Sequence, residues 1–149
     1  MKTLNLIAGL GGAIVLTALH ESLKNVDKNM PRIDLVGEEV LQKTTELFGV
    51  KISNPNTLYK ATLAGDLMSN AAYFSLIAGN RKDLWTRAAS SGLLAGLGAI
   101  ALPKEIGLNE EPVTKSFKTK VLTISYYMAG AFATAAILSV LDKNKSTYV

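Results

Sequence analysis

The segment VLTISYYMAGAFATAAILSVL, residues Val121–Leu141, decides the fold class, because it carries no charged residue along its whole length. About 20 apolar residues in a helix cross the roughly 30 Å hydrocarbon layer of a bilayer. A helix of a soluble bundle carries polar residues on one face at a period of 3.6 residues, whereas this segment is apolar around its whole circumference. The segment therefore predicts a transmembrane helix over 120–141.

Three further segments are nearly free of charge and are close to a membrane span in length: Leu4–Leu19, Leu58–Gly79 and Leu84–Leu102. The first has no charged residue, the second has Lys60 and Asp66, and the third has Arg87. We therefore predict an all-α fold in which one membrane domain over 1–149 forms a bundle of four transmembrane helices. Their expected positions are about 4–21, 58–79, 84–102 and 120–141.

The first segment also has the composition of a signal peptide, since Lys2 precedes its apolar run. Residues 17–22, TALHES, offer no A-x-A-like pair of small residues for cleavage. We therefore expect the segment to be retained as a transmembrane helix.

An amphipathic helix is predicted in the polar stretch between the first two transmembrane helices. Apolar pairs recur at helical spacing from Leu35 to Phe48, with acidic and basic residues on the other side. Asp34 is suited to cap the start of this helix, and Gly49 to the C′ position after it. We expect the helix, over about 35–48, to lie on the bundle or at the membrane interface.

The composition excludes several classes of site. The 149 residues include no cysteine, so disulfides, thiolate metal sites, iron–sulfur clusters and thiol nucleophiles are excluded, and the single histidine excludes a site needing two imidazoles from one chain. The sequence has no P-loop, no dinucleotide-binding glycine motif, no G-x-S-x-G elbow and no H-E-x-x-H motif. We therefore predict no catalytic residue, no metal site and no cofactor. Basic residues do not cluster with aromatic ones, so no nucleic-acid partner is expected.

Asp66 is the most informative polar residue, because it lies inside the second predicted transmembrane helix. An isolated ionised carboxylate at that depth costs at least about 2.5–3.5 kcal/mol, so it needs a partner, a proton or water. Asn70 and Tyr73 follow on the same helical face, and Tyr59, Thr62 and Ser69 extend the polar stripe. The stripe indicates either a ligand, proton-relay or ion site, or an interhelical hydrogen-bond network.

His20 and Glu21 end the first helix on the side where the second helix begins, so they can lie at the depth of the stripe. Adjacent helical residues diverge by about 100°, so the two side chains are not expected to point at one spot without local unwinding. Arg32 is expected to pair with Glu21 or Asp66 as the loop folds back. The candidate polar cluster consists of His20, Glu21, Arg32, Asp66, Asn70 and Tyr73.

The flanking charges give an orientation and the small residues suggest partners. Positively charged residues are dense in the short second loop (Arg81, Lys82 and Arg87) and in the tail (Lys143 and Lys145). Because such residues favour the cytoplasmic side, they place both termini in the cytoplasm, although the longer loops hold more lysines in total. Arg87 is expected to extend toward the headgroups. The lipid bilayer is the expected partner, and small-residue faces such as those with Gly9 and Gly12 or with Gly92 and Gly96 leave a homo-oligomer open.

Three short stretches carry a resemblance: LTALHE at 16–21, PRIDLVG at 31–37, and Gly65-Asp66 with Asn70. With these stretches the chain resembles small uncharacterised bacterial membrane proteins with four helices, over most of its length. The resemblance implies a multi-pass protein of the bacterial inner membrane. It implies no activity.

Three functions are compatible with these features. The lack of catalytic motifs favours an accessory or structural membrane protein, whose polar residues hold the bundle together, over an enzyme. The alternative is a small transporter, channel or ligand-binding protein with a polar intramembrane pocket around Asp66, and four helices would then require a homo-oligomer for transport. The third function is an intramembrane enzyme acting on a lipid, with Glu21 or Asp66 as general base. Whether Asp66 faces an open cavity distinguishes among them.

Overall fold

The structure, a computed structural model, describes residues 2–146, and the side chains of residues 3–141. About 80% of the chain is helical and the described part contains no strand, so the all-α prediction is confirmed. The helices are α1 (Lys2–Leu23), α2 (Ile33–Leu47), α3 (Pro55–Ser75), α4 (Leu84–Glu105), α5 (Glu111–Thr114) and α6 (Phe117–Ser146). A 3₁₀ turn at Arg81–Asp83 precedes α4. The side chains of Lys143 and Lys145, used above for the orientation, lie outside the described ones.

Two described helices are long and apolar enough to cross a membrane. They are α1 over Thr3–Leu23 and α6 over Phe117–Leu141, each with a mean hydropathy of 1.6. The core helix of a soluble protein and a signal sequence share this composition, so the two helices agree with a membrane protein without requiring one. The polar residues of α3 and α4 lower their hydropathy, and four spans are therefore not established.

The long helices form an open bundle. α1 packs along both α3 and α6, and α4 packs along α6, so the order in cross-section is α3, α1, α6, α4. α3 and α4 are joined by a short connection but do not pack along each other. The end where α1 finishes and α3 begins also holds α2, α5 and the end of α4, and we call it the loop side. The backbone N–H of Arg32 donates to the Pro112 carbonyl there, at 2.9 Å.

Small residues let the helix backbones approach closely within the chain. A Cβ atom added to Gly96 would lie 2.7 Å from Ile124 Cα, and one added to Gly92 would lie 2.9 Å from Met128 Cα. The small-residue face of α4 is therefore covered by α6. Gly12 likewise faces Gly130 of α6. A homo-oligomer stays a prediction, and it would need a surface other than these covered faces.

The amphipathic segment forms α2, and Gly49 follows its C-cap residue at a φ of 75° with its N–H bonded to the Glu46 carbonyl. The expectation that Asp34 caps this helix is wrong. Arg32 occupies the N-cap position without a side-chain cap, and Asp34 lies in the first turn. Its carboxylate is instead bonded to side chains from outside α2, because the preceding loop brings two cations over it.

Arg87 makes hydrogen bonds that the sequence reasoning did not predict. Its Nη2 donates to the Leu76 carbonyl at 2.9 Å and to the Ala78 carbonyl at 2.6 Å. These carbonyls follow the end of α3, where the helix leaves acceptors without partners. Arg87 therefore fastens the α3–α4 connection.

Candidate functional site

An ionic cluster joins α1 to α2 and α3 on the loop side. His20 is only 5% exposed, and its Nδ1 lies 3.2 Å from Glu21 Oε1. Lys24 Nζ lies 2.9 Å from Glu21 Oε2 and 3.2 Å from Asp34 Oδ2. Lys24 therefore bridges carboxylates from two helices. The sequence reasoning missed Lys24, and it expected Asp34 to cap α2 and not to join this cluster. The i, i+3 spacing of Glu21 and Lys24 was the signal that could have found Lys24.

Asp34 is the most strongly paired carboxylate of the cluster. Arg32 Nη2 lies 2.8 Å from Asp34 Oδ2, and Arg32 Nε donates to Oδ1 at 2.9 Å. Burial disfavours the charged form, but the interactions with His20 and Arg32 outweigh it and hold the pKa of Asp34 well below its ordinary value. The expected pairing of Arg32 with Glu21 or Asp66 is wrong, because the start of α2 places Asp34 directly beside the guanidinium.

Tyr59 ties α3 to the same cluster. Its hydroxyl donates a short hydrogen bond to Glu21 Oε2, and Lys24 Nζ lies 4.5 Å from the centre of its ring. The expectation that His20 and Glu21 cannot reach one spot without unwinding is also wrong. α1 stays helical to Leu23, and the flexible glutamate side chain reaches back to the imidazole.

Asp66 has quite different surroundings from Asp34. It lies midway along α3, half-buried, and no described side chain donates a hydrogen bond to its carboxylate; only its backbone carbonyl accepts one, from Ser69. Gly37 of α2 lies opposite, and a Cβ added there would be 3.1 Å from Asp66 Oδ2. Asp66 is therefore a carboxylate with no cation beside it among the described side chains, and it is held against the backbone of α2.

A lateral groove of about 600 Å³ opens in the gap between α3 and α4, with α6 behind it and α2 over its loop-side end. Most of its lining is apolar, including Val36, Leu94 and Leu102. Its polar lining residues are Asp66, Ser69, Asn70, Tyr73 and Tyr127. The Tyr73 hydroxyl donates to the Ser91 carbonyl at 2.9 Å, which bridges α3 and α4. The groove therefore presents one carboxylate in largely apolar walls.

A cavity of about 20 Å³ lies between the groove and the ionic cluster. His20, Asp34, Thr62, Asp66 and Asn70 all line it, and Asp66 and Asn70 line the groove as well. His20 Nε2 lies 3.5 Å from Asp34 Oδ1 but makes no hydrogen bond within the described part of the chain, and Thr62 Oγ1 makes none either. The cavity thus brings together two buried polar atoms without partners.

The candidate residues separate into two groups. His20, Glu21 and Arg32 belong to the ionic cluster, while Asp66, Asn70 and Tyr73 line the groove. The small cavity brings His20 into the neighbourhood of Asp66 and Asn70. Among the described residues, no three acidic or histidine side chains are arranged to hold a metal ion.

No protein-family model, no curated protein and no solved structure matches this chain.

Proposed function

We propose that this chain is a small integral membrane protein with four membrane-spanning helices, and that its lateral groove binds an amphiphile carrying an ammonium group. The observation that carries the proposal is the groove between α3 and α4, in which Asp66 has no described donor among mainly apolar walls. Its volume of about 600 Å³ is within the range of small-molecule sites, about 300–1,000 Å³.

The outer surface of the bundle supports placement in a bilayer. Leu6, Ile7 and Ile14 of α1 are each about half exposed. On α4, Leu93 and Leu97, one helical turn apart and outside the groove lining, are each 46% exposed. Large apolar side chains scattered singly are ordinary on a soluble protein, but contiguous apolar faces indicate contact with a membrane or a partner. Lipid is the solvent that favours such faces on α1 and α4.

The charge of Asp66 selects the ligand. A carboxylate in an apolar groove is costly unless a cation, a proton or water compensates it. An ammonium group would supply both the opposite charge and hydrogen-bond donors. The rings of Tyr73 and Tyr127 line the same groove, and aromatic faces attract cations. An alkyl chain on the same molecule would occupy the apolar lining of α2 and α4.

An accessory or structural role is the second candidate function, and the ionic cluster favours it. Lys24 and Arg32 provide Glu21 and Asp34 with cationic partners, as expected of residues that hold helices together. The same pairing disfavours Glu21 as the general base of a lipid-acting enzyme. The ionic cluster leaves the open groove and the unpaired Asp66 unexplained, so we place ligand binding first.

Native mass spectrometry of the detergent-solubilised protein tests the binding proposal. Hexadecylamine and hexadecanol have the same chain length and differ in the charged head group. We expect the amine to bind more tightly than the alcohol, and Asp66→Asn to remove this preference by weakening amine binding about tenfold or more.

Two further variants on α4 test the place of binding. Ala95 lines the groove, so Ala95→Trp should fill it and abolish amine binding. Ala101 is exposed on the same helix and does not line the groove, so Ala101→Trp is the matched control and should bind as the wild type does. Equal binding of amine and alcohol, or undiminished binding to Ala95→Trp, would refute the proposal.

A further inference from the structure

We infer that a buried water in the 20 Å³ cavity connects Asp66 to His20, and that Asp66 exchanges protons with the loop side through His20 and Glu21. The inference deepens the proposed binding site and depends on it for a biological role. Its geometry does not depend on ligand binding.

The cavity has the size and the chemistry that a single water requires. A buried water needs roughly 10–15 Å³ and two to four polar partners. Thr62 and His20 are only 4% and 5% exposed, and Thr62 Oγ1 and His20 Nε2 have no hydrogen-bond partner within the described residues. Buried polar atoms are rarely left without partners. Asp66 also lines the cavity, so one water there can bridge the carboxylate, the hydroxyl and the imidazole.

The route continues from His20 to the loop-side surface. A proton leaving the Asp66 carboxyl passes to the water, which gives one of its own protons to His20 Nε2. The imidazolium then loses its Nδ1 proton to Glu21 Oε1, which is 3.2 Å away. The Glu21 side chain is 26% exposed and can release the proton to bulk water. The water and His20 each end neutral, and reversing the steps restores the original imidazole tautomer.

Charged groups around His20 support its role as the proton-transferring residue. Asp34 Oδ1 lies 3.5 Å from Nε2 and Glu21 Oε1 lies 3.2 Å from Nδ1, so each ring nitrogen of His20 has a carboxylate oxygen close to it. Lys24 and Arg32, in the loop after α1, partly neutralise the charge of these two carboxylates. The titratable and charged groups that surround the route are Glu21 of α1, Lys24 and Arg32 of the loop, Asp34 of α2, Tyr59 and Asp66 of α3, and Tyr127 of α6.

The route gives the groove a proton-coupled binding step. When an ammonium ligand enters, it replaces the proton of a neutral Asp66 carboxyl with its own positive charge. The displaced proton leaves through the water, His20 and Glu21 to the loop side. Ligand binding and release would then move one proton between Asp66 and one side of the membrane only.

Infrared spectroscopy of the protein in lipid vesicles, without any amine, tests the route. The carbonyl band of the protonated Asp66 carboxyl is recorded at acidic pH and assigned by its loss in Asp66→Asn. We expect its hydrogen–deuterium exchange, after transfer to D₂O, to slow at least tenfold in His20→Phe and in Thr62→Val. Thr123 is buried on α6 and bonded to the Thr119 carbonyl, so Thr123→Val is the matched control and should exchange at the wild-type rate.

Two results would overturn the inference. One is an unchanged exchange rate in both Thr62→Val and His20→Phe, which would show that the proton leaves through the groove. The other is the absence of any carboxyl band that depends on Asp66. If His20→Phe does not fold, Thr62→Val and Glu21→Gln decide, since neither removes a large side chain. A failure of amine binding would leave this measurement intact, so the two proposals fail separately.

Discussion

Asp34 and Asp66 are both at least partly buried, but they differ in whether a cation lies beside the carboxylate. Asp34 is 6% exposed and is bonded to Lys24 and Arg32, whereas Asp66 has no described cation beside it. In a buried ion pair, removing one partner is much more costly than the pair is worth, because the remaining charge loses its compensation. Asp34 is therefore the residue on which the joint between α1 and α2 depends, and Asp66 is the residue to which we assign the proposed ligand.

Replacing Asp34 tests its structural role. Asp34→Asn leaves Lys24 and Arg32 facing an uncharged amide, and we expect it to lower the free energy of unfolding by about 3–5 kcal/mol. Denaturant unfolding in detergent micelles measures this. Asp27 pairs with Lys118 at 3.1 Å on the surface, so Asp27→Asn is the control, and we expect a much smaller loss because water and salt screen an exposed ion pair. Equal losses in the two variants would contradict this assignment.

Acid should weaken the same joint. Because the interactions of Asp34 hold its pKa lower in the folded protein than the ordinary value of 3.8, the ionised form favours folding. The contribution is complete well above pH 3.8 and is lost progressively as the pH falls below it. We therefore expect a smaller acid-induced loss of stability in Asp34→Asn than in the wild type. The same unfolding measurement repeated between pH 7 and the acidic limit of the detergent system shows the difference.

At the scale of the elements, the contact between α2 and α3 positions the groove and the cavity. Gly37 of α2 faces Thr62 and Asp66, and a Cβ there would lie 2.7 Å from Thr62 Cγ2. The side chain of Thr62 is β-branched and stiff, so it cannot move away at little cost. The close approach of α2 to α3 therefore requires glycine at position 37. Gly65 of α3, by contrast, has open space around it.

Two glycine substitutions distinguish these positions. In Gly65→Ala the added methyl meets nothing, so the better helix propensity of alanine should stabilise the protein by about 0.5–1 kcal/mol. In Gly37→Ala the same gain is opposed by the clash with Thr62, so we expect a net loss of stability. Thermal unfolding of the two variants in one detergent provides the comparison, and a gain in both would show that α2 is free to move away from α3.

At the scale of the molecule, the open arrangement of four long helices creates the groove. The α3, α1, α6, α4 order leaves α3 and α4 without mutual packing, while Arg87 and the Tyr73–Ser91 bond hold them together near their connection. In water such a gap would expose apolar walls. In a bilayer it would admit a lipid-like molecule from the side, which is consistent with the proposed ligand.

Cysteine labelling tests the proposed four-span arrangement, because the chain has no cysteine of its own. Lys51 lies on the loop side before α3, and Lys82 lies in the connection before α4. In cells, we expect Lys82→Cys to react with a membrane-impermeant maleimide only from the cytoplasm, and Lys51→Cys only from the opposite side. Labelling of both positions from the same side would exclude an α3 that spans the membrane. A reversed pattern would keep the four spans and invert the orientation.

Sequence information alone was enough to predict the helical fold, the polar stripe on α3 and the unusual position of Asp66. These follow from local information, namely the charge-free run at Val121–Leu141 and the helical spacing of polar residues. The turn at Gly49 that follows α2 was likewise predicted from the conformation that glycine favours. The number of membrane-spanning helices could not be derived from the sequence in this way. The polar residues of α3 and α4 lower their hydropathy, so length and composition alone do not decide whether these two helices lie in lipid.

Which charged side chains pair with each other became clear only from the packing of the helices. Asp34 was expected to be a helix cap and Arg32 a partner of Asp66, yet the loop brings Arg32 and Lys24 over Asp34 and leaves Asp66 at the groove. Ion pairs between helices depend on the path of the connecting loop and on how closely the backbones approach, and neither can be read from helical spacing. The gap between α3 and α4 arises in the same way, from the choice of α1 and α6 as packing partners.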